Sequence, residues 1–277
     1  MNAEEEGRTL LAVLAHPDDE LLVAGTLLAQ RARGDRVVIL YLTQGEATDA
    51  FGPMEPTEVA RRRRALASEA AGILDVEHRF LEFPDGGVTA DPTTARAIAR
   101  VLADLRPDGL VTWGRAWLKG MRHPDHRATG QAAVDALTLA RIRSQVAPAE
   151  PHRAPCPPFG IRGAHSRLPA VAVDVEPWLD RILELAGFYH DRIGFGDETW
   201  LRNRLRSAAE PHGLAWAEVH DAWETRPGVV EALLPAADAL QYGHPSRQGP
   251  VEEIGPVGRG GSPESAQTSI AGEGRDG

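Results

Sequence analysis

The sequence predicts an α/β fold: a single domain with a Rossmann-like, mostly parallel sheet and helices on both faces. Two observations carry this. Short continuous apolar runs alternate with stretches of helical spacing through the first 140 residues, and the connections between them are short. Repeated strand–helix units of this kind pack as a parallel sheet covered on two sides.

Thr9 to Ala15 is the first run, apolar throughout as a strand buried on both faces must be. Glu20 to Arg33 has helical spacing and ends at Gly34, a natural C-cap. Arg36 to Leu42 is a second strand, and Thr57 to Leu74, rich in Ala, Arg and Glu, a helix. Val76 to Phe83 is a weaker strand closed by the turn Pro84-Asp85-Gly86-Gly87. Thr93 to Leu105 is helical, Gly109 to Thr112 a short strand, and Asp125 to about Arg143 a long helix. Five prolines between residues 145 and 158 break the pattern. Ala170 to Val175 restores a strand, followed by helices at Glu176 to His190, Glu198 to Ala209 and Leu214 to Thr225. Residues 1–242 thus read as the folded domain. Residues 243–277 hold nine glycines and four prolines and read as a disordered tail.

Composition removes several function classes. The net charge is −10, and the only basic block is Arg61 to Arg64, which argues against nucleic-acid binding. Cys156 is the single cysteine, so a disulfide framework, a thiolate-rich zinc site and a dithiol redox centre are excluded. The longest early apolar run, Leu21 to Ala29, is about half the roughly 20 residues a membrane helix needs. The first residues are acidic where a signal peptide is basic. The expectation is a cytoplasmic protein without membrane or nucleic-acid partners; an oligomer is compatible with the sequence.

Two clusters carry candidate chemistry. Ala15-His16-Pro17-Asp18-Asp19-Glu20 follows the first strand, and His123-Pro124-Asp125-His126 follows the fourth. In an open parallel sheet the loops at the carboxyl ends of strands share one crevice, so loops about 110 residues apart can meet. Together they offer three histidines and three aspartates, enough for a nitrogen–oxygen metal site with an open water position. The plain alternative is that Asp18, Asp19 and Asp125 serve as N-caps or first-turn charges of the helices they precede.

The paired motifs resemble those of the LmbE-like/PIG-L family of metal-dependent N-acetylglucosaminyl de-N-acetylases. Thr43-Gln44-Gly45-Glu46, Phe83-Pro84-Asp85-Gly86-Gly87 and Val173-Asp174-Val175 resemble its intermediate motifs, and the resemblance runs over roughly residues 9–190. It implies that His16, Asp19 and His126 hold the metal, zinc by family expectation, although this donor set also suits iron, manganese or cobalt. Asp18 would be the general base and His123 the protonated electrophile beside the carbonyl oxygen, with Asp125 orienting His123 and favouring its charged form. Arg63 and Asp85 would contact the sugar; the alternatives are a solvated helix face and a turn residue. Glu46 would support the site or cap a loop. Where the family often has a glutamate after the arginine, this chain has Leu66. Trp113 and Trp117 read as a stacking platform for the sugar or as packing, and His190 is an incomplete match to a late family histidine.

The implied function is zinc-dependent removal of acetyl from a small molecule containing N-acetylglucosamine. Two other readings stand beside it: an amidase of another sugar or thiol conjugate, and a non-catalytic sugar- or nucleotide-binding domain. No Gly-x-Gly-x-x-Gly follows the first strand, which argues against a dinucleotide-binding dehydrogenase.

Overall fold

A computed structural model describes residues 7–115 and 123–238. The tail read as disordered, together with Trp117, lies outside the described residues.

Eight strands form one sheet in the order β3-β2-β1-β4-β5-β7-β6-β8. β1 (Thr9–Leu14) lies at the centre, parallel to β2 (Arg36–Tyr41) on one side and β4 (Gly109–Trp113) on the other. β3 (Glu77–Phe80) extends the sheet beyond β2, and β5 (Pro158–Ile161) pairs in parallel with β4. The chain winds outward from β1 in both directions, so the β1–β4 boundary is the topological switch point. The loops after these two strands carry the two histidine clusters.

All six residues of β1 are buried, and their alternation divides the core. Leu10, Ala12 and Leu14 face α1 (Ala24–Ala32), α2 (Pro56–Leu74), α6 (Leu179–Ile193), α7 (Glu198–Ala209) and α8 (Leu233–Ala237). Leu11 and Val13 face α3 (Pro92–Leu105) and α4 (Pro124–Leu139). Each such leucine contributes about 1.5–3 kcal/mol by leaving water. Leu66 belongs to the first of these cores, so an apolar side chain fits there.

The structure corrects several boundaries. The segment Leu214 to Thr225 is not helical. Ala217–Ala222 form β7, antiparallel to both β5 and β6 (Ala170–Asp174). Glu218, His220 and Asp221 give the segment its polar look, yet all are buried, because each finds a distant partner. Glu218 accepts from the Gly25 and Thr26 amides, the His220 ring meets the Thr26 hydroxyl, and Asp221 pairs with Arg162. β5 and β8 (Gly228–Val230) are strands that the sequence reading lacked, and a short helix, α5 (Arg143–Val146), follows α4.

The helix expected from Glu20 is also divided. A single tight turn covers Asp19–Leu22, Val23 breaks it, and α1 begins at Ala24. Glu218, 193 residues downstream, caps the free amides of that start. Replacement Glu218→Ala leaves two buried N–H groups without acceptors and lowers unfolding free energy by about 2 kcal/mol or more in a urea titration. No helix among the described residues is long and apolar enough to cross a membrane.

Candidate metal centre and active site

His16 is the hub of the site. Its Nε2 lies 3.0 Å from Asp85 Oδ1 and 3.2 Å from Asp125 Oδ2. Its Nδ1 faces the other way, 3.3 Å from His126 Nε2 and 3.8 Å from Asp19 Oδ2. His126 Nε2 is in turn 3.2 Å from Asp19 Oδ1. Donors around a tetrahedral cation with bonds of about 2.0–2.2 Å stand roughly 3.3 Å apart, so His16 Nδ1, His126 Nε2 and the Asp19 carboxylate fit one divalent ion. His123 stands close by; one ring nitrogen each of His16, His123 and His126 lies within 4.8 Å of the others.

Local structure explains how each donor is held. Asp19 Oδ2 accepts the Ala15 and His16 amides at 3.0 and 2.9 Å, which turns Oδ1 toward His126. Burial works against the Asp19 charge, but His126 and His16 outweigh it and hold the carboxyl below its ordinary value. The His126 ring stacks on Trp113, with centroids 3.7 Å apart and an interplanar angle of 8°. Trp113 is therefore a buried brace for a candidate ligand and has its face turned to His126. The other side of His16 is fixed by acids, as ligand imidazoles commonly are. Burial opposes protonation of His16, yet the bonds to Asp125 and Asp85 and the Asp19 charge raise it to about 10.

Asp125 departs from its expected place. Its carboxylate binds His16 Nε2 and accepts the Gly86 and Val88 amides at 2.7 and 3.1 Å. It orients His16 and the Asp85 loop. Its backbone amide, not its carboxylate, meets His123 Nδ1 at 3.3 Å. His123 is exposed at the N-terminus of α4, and burial of its ring together with the neighbouring His16 and His126 pulls it below its ordinary value. The Asp125 carboxylate is turned to His16, so the expected contact between that carboxylate and His123 is replaced by one from the Asp125 backbone amide.

Asp18 sits on a left-handed backbone, φ 106°, inside the cavity. Arg63 Nη2 lies 2.7 Å from its Oδ2 and also bonds the Pro17 carbonyl. Of the four consecutive arginines only Arg63 is buried; Arg61, Arg62 and Arg64 face outward. Burial raises the Asp18 carboxyl above its ordinary value, against the pull of Arg63. The Asp18 amide donates to Glu20 Oε2 at 2.9 Å, and Glu20 Oε1 accepts the Tyr189 hydroxyl. Burial pushes Glu20 up to about 7. His190, the late histidine of the sequence reading, is exposed, and the adjacent Tyr189 is the residue that reaches the site.

The remaining motif residues frame the pocket. Asp85 lines it, accepts the Ala47 amide at 2.9 Å and is brought to about 2, burial being outweighed by His16 and that amide. Glu46 accepts the Asp85 amide at 2.8 Å, and so supports the loop. Gly45, at φ +68°, passes under Arg63: a Cβ there would lie 2.8 Å from Arg63 Nε. Gly45→Ala is expected to cost about 1–3 kcal/mol of stability in thermal unfolding, through both strain and displacement of Arg63.

Residues 11–137 match the family model PIG-L, described as GlcNAc-PI de-N-acetylase. The chain is 34% identical over 171 residues to a 1D-myo-inositol 2-acetamido-2-deoxy-alpha-D-glucopyranoside deacetylase of Kineococcus radiotolerans, covering 49% of this chain and 46% of the relative. It is 31% identical over 137 residues to a diacetylchitobiose deacetylase of Thermococcus kodakarensis, covering 49% and 51%. Residues 11–137 form a PIG-L family domain. Among solved structures, the conserved protein TT1542 of Thermus thermophilus superposes with a TM-score of 0.65 at 30% identity, over 77% of this chain and 94% of that one. The chain spans about half the length of the first curated relatives it matches. The PIG-L match ends before β5, so the wall built by residues 158–238 lies outside it.

Proposed function

We propose that this PIG-L-domain protein hydrolyses the acetamido group of a small molecule containing N-acetylglucosamine, with a divalent cation, zinc in the first instance, held by His16, Asp19 and His126. The observation that carries the reading is the convergence of those three donors at 3.2–3.8 Å beside a buried-end carboxylate, Asp18, in one cavity. Two imidazoles and a carboxylate leave a coordination position open, as hydrolytic sites do. A cation bound there supplies a water of lowered pKa and polarises the amide oxygen.

The chain's own residues do the rest. Asp18, made more basic by burial and aimed by Arg63, accepts the proton of the attacking water. His123, whose ring centroid lies 4.5 Å from that of His16, would hydrogen-bond the carbonyl oxygen as charge develops. Either Asp18 or His123 returns a proton to the leaving amine. Asp85 and Arg63 both line the cavity, and we assign them the contacts to the sugar hydroxyls. The test is acetate release from a panel of N-acetylglucosaminides with metal analysis on the same preparation. Release of acetate by metal-loaded protein, abolished by chelation and restored by zinc, is the expected outcome; absence of both metal and turnover overturns the reading.

Two further results are expected. Asp125→Ala removes the carboxylate that orients His16, and lowers divalent-cation affinity about 10–100-fold in competition titration with a chelating dye. The pH dependence follows from His16. Its pKa is raised to about 10 from 6.5, so the chelated protein holds a proton that the unfolded chain releases. That stabilisation is complete below the unfolded value near 6.5 and is lost as pH rises through about 10. Cation binding displaces the same proton, so cation affinity rises over this window. Thermal melts of chelated and zinc-loaded protein from pH 6 to 10 check both, on a scale set by the His reference value.

A further inference from the structure

The backbone at residue 18 is unusual. Three non-glycine residues among those described have a positive φ. Asp75 and Arg106, at 57° and 51°, close α2 and α3 in the ordinary left-handed well. Asp18, at φ 106° and ψ −20°, lies outside that well, and its side chain caps no helix. A non-glycine backbone so placed persists only where its surroundings fix it. The side chain at this position is the one assigned as base, so whatever fixes φ also aims the carboxylate.

The peptide unit between Pro17 and Asp18 is gripped at both ends. Its carbonyl accepts from Arg63 Nη2, and its N–H donates to Glu20 Oε2 at 2.9 Å. In a trans peptide these two groups point in opposite directions, so the unit cannot turn over without breaking both bonds. Turning over is the movement that would carry φ of residue 18 out of its present region. Arg63 comes from α2 and also holds the Asp18 carboxylate, at 2.7 Å. Glu20 is fully buried, and its second oxygen, Oε1, accepts the Tyr189 hydroxyl. Tyr189 is fully buried too, and comes from α6, which packs against both α2 and the turn Asp19–Leu22. An unpaired oxygen on a buried carboxylate is costly, so the Tyr189 hydroxyl fixes which way Glu20 faces. Tyr189 lies outside the residues 11–137 that match the family model.

We propose that Glu20 and Tyr189 are positioning residues for Asp18: Tyr189 orients Glu20, and Glu20 with Arg63 locks the Pro17–Asp18 peptide in the orientation that keeps the Asp18 carboxylate aimed into the cavity. The consequence for turnover rests on the deacetylase reading, whereas the backbone lock does not. Tyr189→Phe, Glu20→Met and Glu20→Gln are compared in the full chain, by crystal structure, zinc content and acetate release. Phenylalanine keeps the ring in the core and removes only the hydroxyl. Methionine removes both acceptors, while glutamine keeps an acceptor for the Asp18 amide and a donor toward Tyr189. The structures are expected to show residue 18 moved away from φ 106° in Glu20→Met, and Glu20 turned from the Asp18 amide in Tyr189→Phe. With zinc content and KM near those of the unaltered protein, kcat is expected to fall about tenfold in Tyr189→Phe and about 10²-fold in Glu20→Met, the scale of a displaced reacting group. Glu20→Gln is expected to recover most of that loss. In an Asp18→Asn background, Tyr189→Phe is expected to lower kcat no further, because the group it positions is already inert. A purely structural role would lower the melting temperature and leave kcat per folded, metal-loaded chain intact; that result overturns the proposal. So does an unmoved residue 18 in Glu20→Met, or a loss that repeats in full on Asp18→Asn. Should Glu20→Met not fold, Tyr189→Phe decides alone. Absence of acetate release from the unaltered protein counts against the deacetylase reading, and the backbone at residue 18 in the variant structures still decides the lock.

Discussion

Asp18→Asn is expected to keep the metal and lose hydrolysis, with kcat falling about 10²–10⁴-fold, the range for removing a positioned general base. The substitution is conservative where it must be. Position 18 has φ 106°, and asparagine tolerates a positive φ better than other non-glycine residues. Its side-chain carbonyl can still accept from Arg63, and its amide can still donate to Glu20. What is removed is the ability to take a proton. Metal content, melting temperature and KM are therefore expected to stay near those of the unaltered protein while kcat collapses, and added zinc is expected not to rescue it. Full turnover by a purified, metal-loaded variant would end the assignment of Asp18 as base.

Asp19→Asn is expected to do the reverse. The asparagine carbonyl can occupy the place of Oδ2 and keep the Ala15 and His16 amides paired. The oxygen facing His126 becomes an uncharged amide nitrogen, a donor where a ligand must be an acceptor. Cation affinity is expected to drop by more than the roughly 10–100-fold that loss of a supporting residue costs. Activity falls with it, and excess metal recovers part. Asp19→Ala adds two orphaned amides to that loss and is expected to melt lower than Asp19→Asn. Metal analysis after gel filtration distinguishes the two aspartates: near one ion per chain for Asp18→Asn and far less for Asp19→Asn. A zinc-replete, fully active Asp19→Asn would exclude Asp19 as a ligand.

The parallel half of the fold was legible because its signals are local. Strands such as Thr9–Leu14 and Arg36–Tyr41 are almost continuously apolar and short, the pattern of a strand covered on both faces. The histidine clusters were legible for the same reason, since each is contiguous and follows a strand. Less of the late half was readable. Ala217–Ala222 is a fully buried strand with Glu218, His220 and Asp221 in it, and nothing nearby in sequence advertises the amides and the guanidinium that make those charges tolerable. The proline-rich stretch hid β5 similarly, because β4 alongside supplies the pairing that makes Pro158–Ile161 a strand.

The site shows the same division. The residues alone brought forward three histidines and three aspartates, the family resemblance singled out His16, Asp19 and His126 among them, and the topology of a parallel sheet was enough to bring their loops together. The tertiary structure alone decided what each side chain faces: the Asp125 carboxylate toward His16, Arg63 rather than its three neighbours toward Asp18, Trp113 against His126, and Tyr189 toward Glu20. The physical reason is that strand and helix periodicity is written into neighbouring residues, whereas the direction of a buried polar side chain depends on where its partner lies. Among these pairs the partners lie as far as 169 residues apart, as with Tyr189 and Glu20.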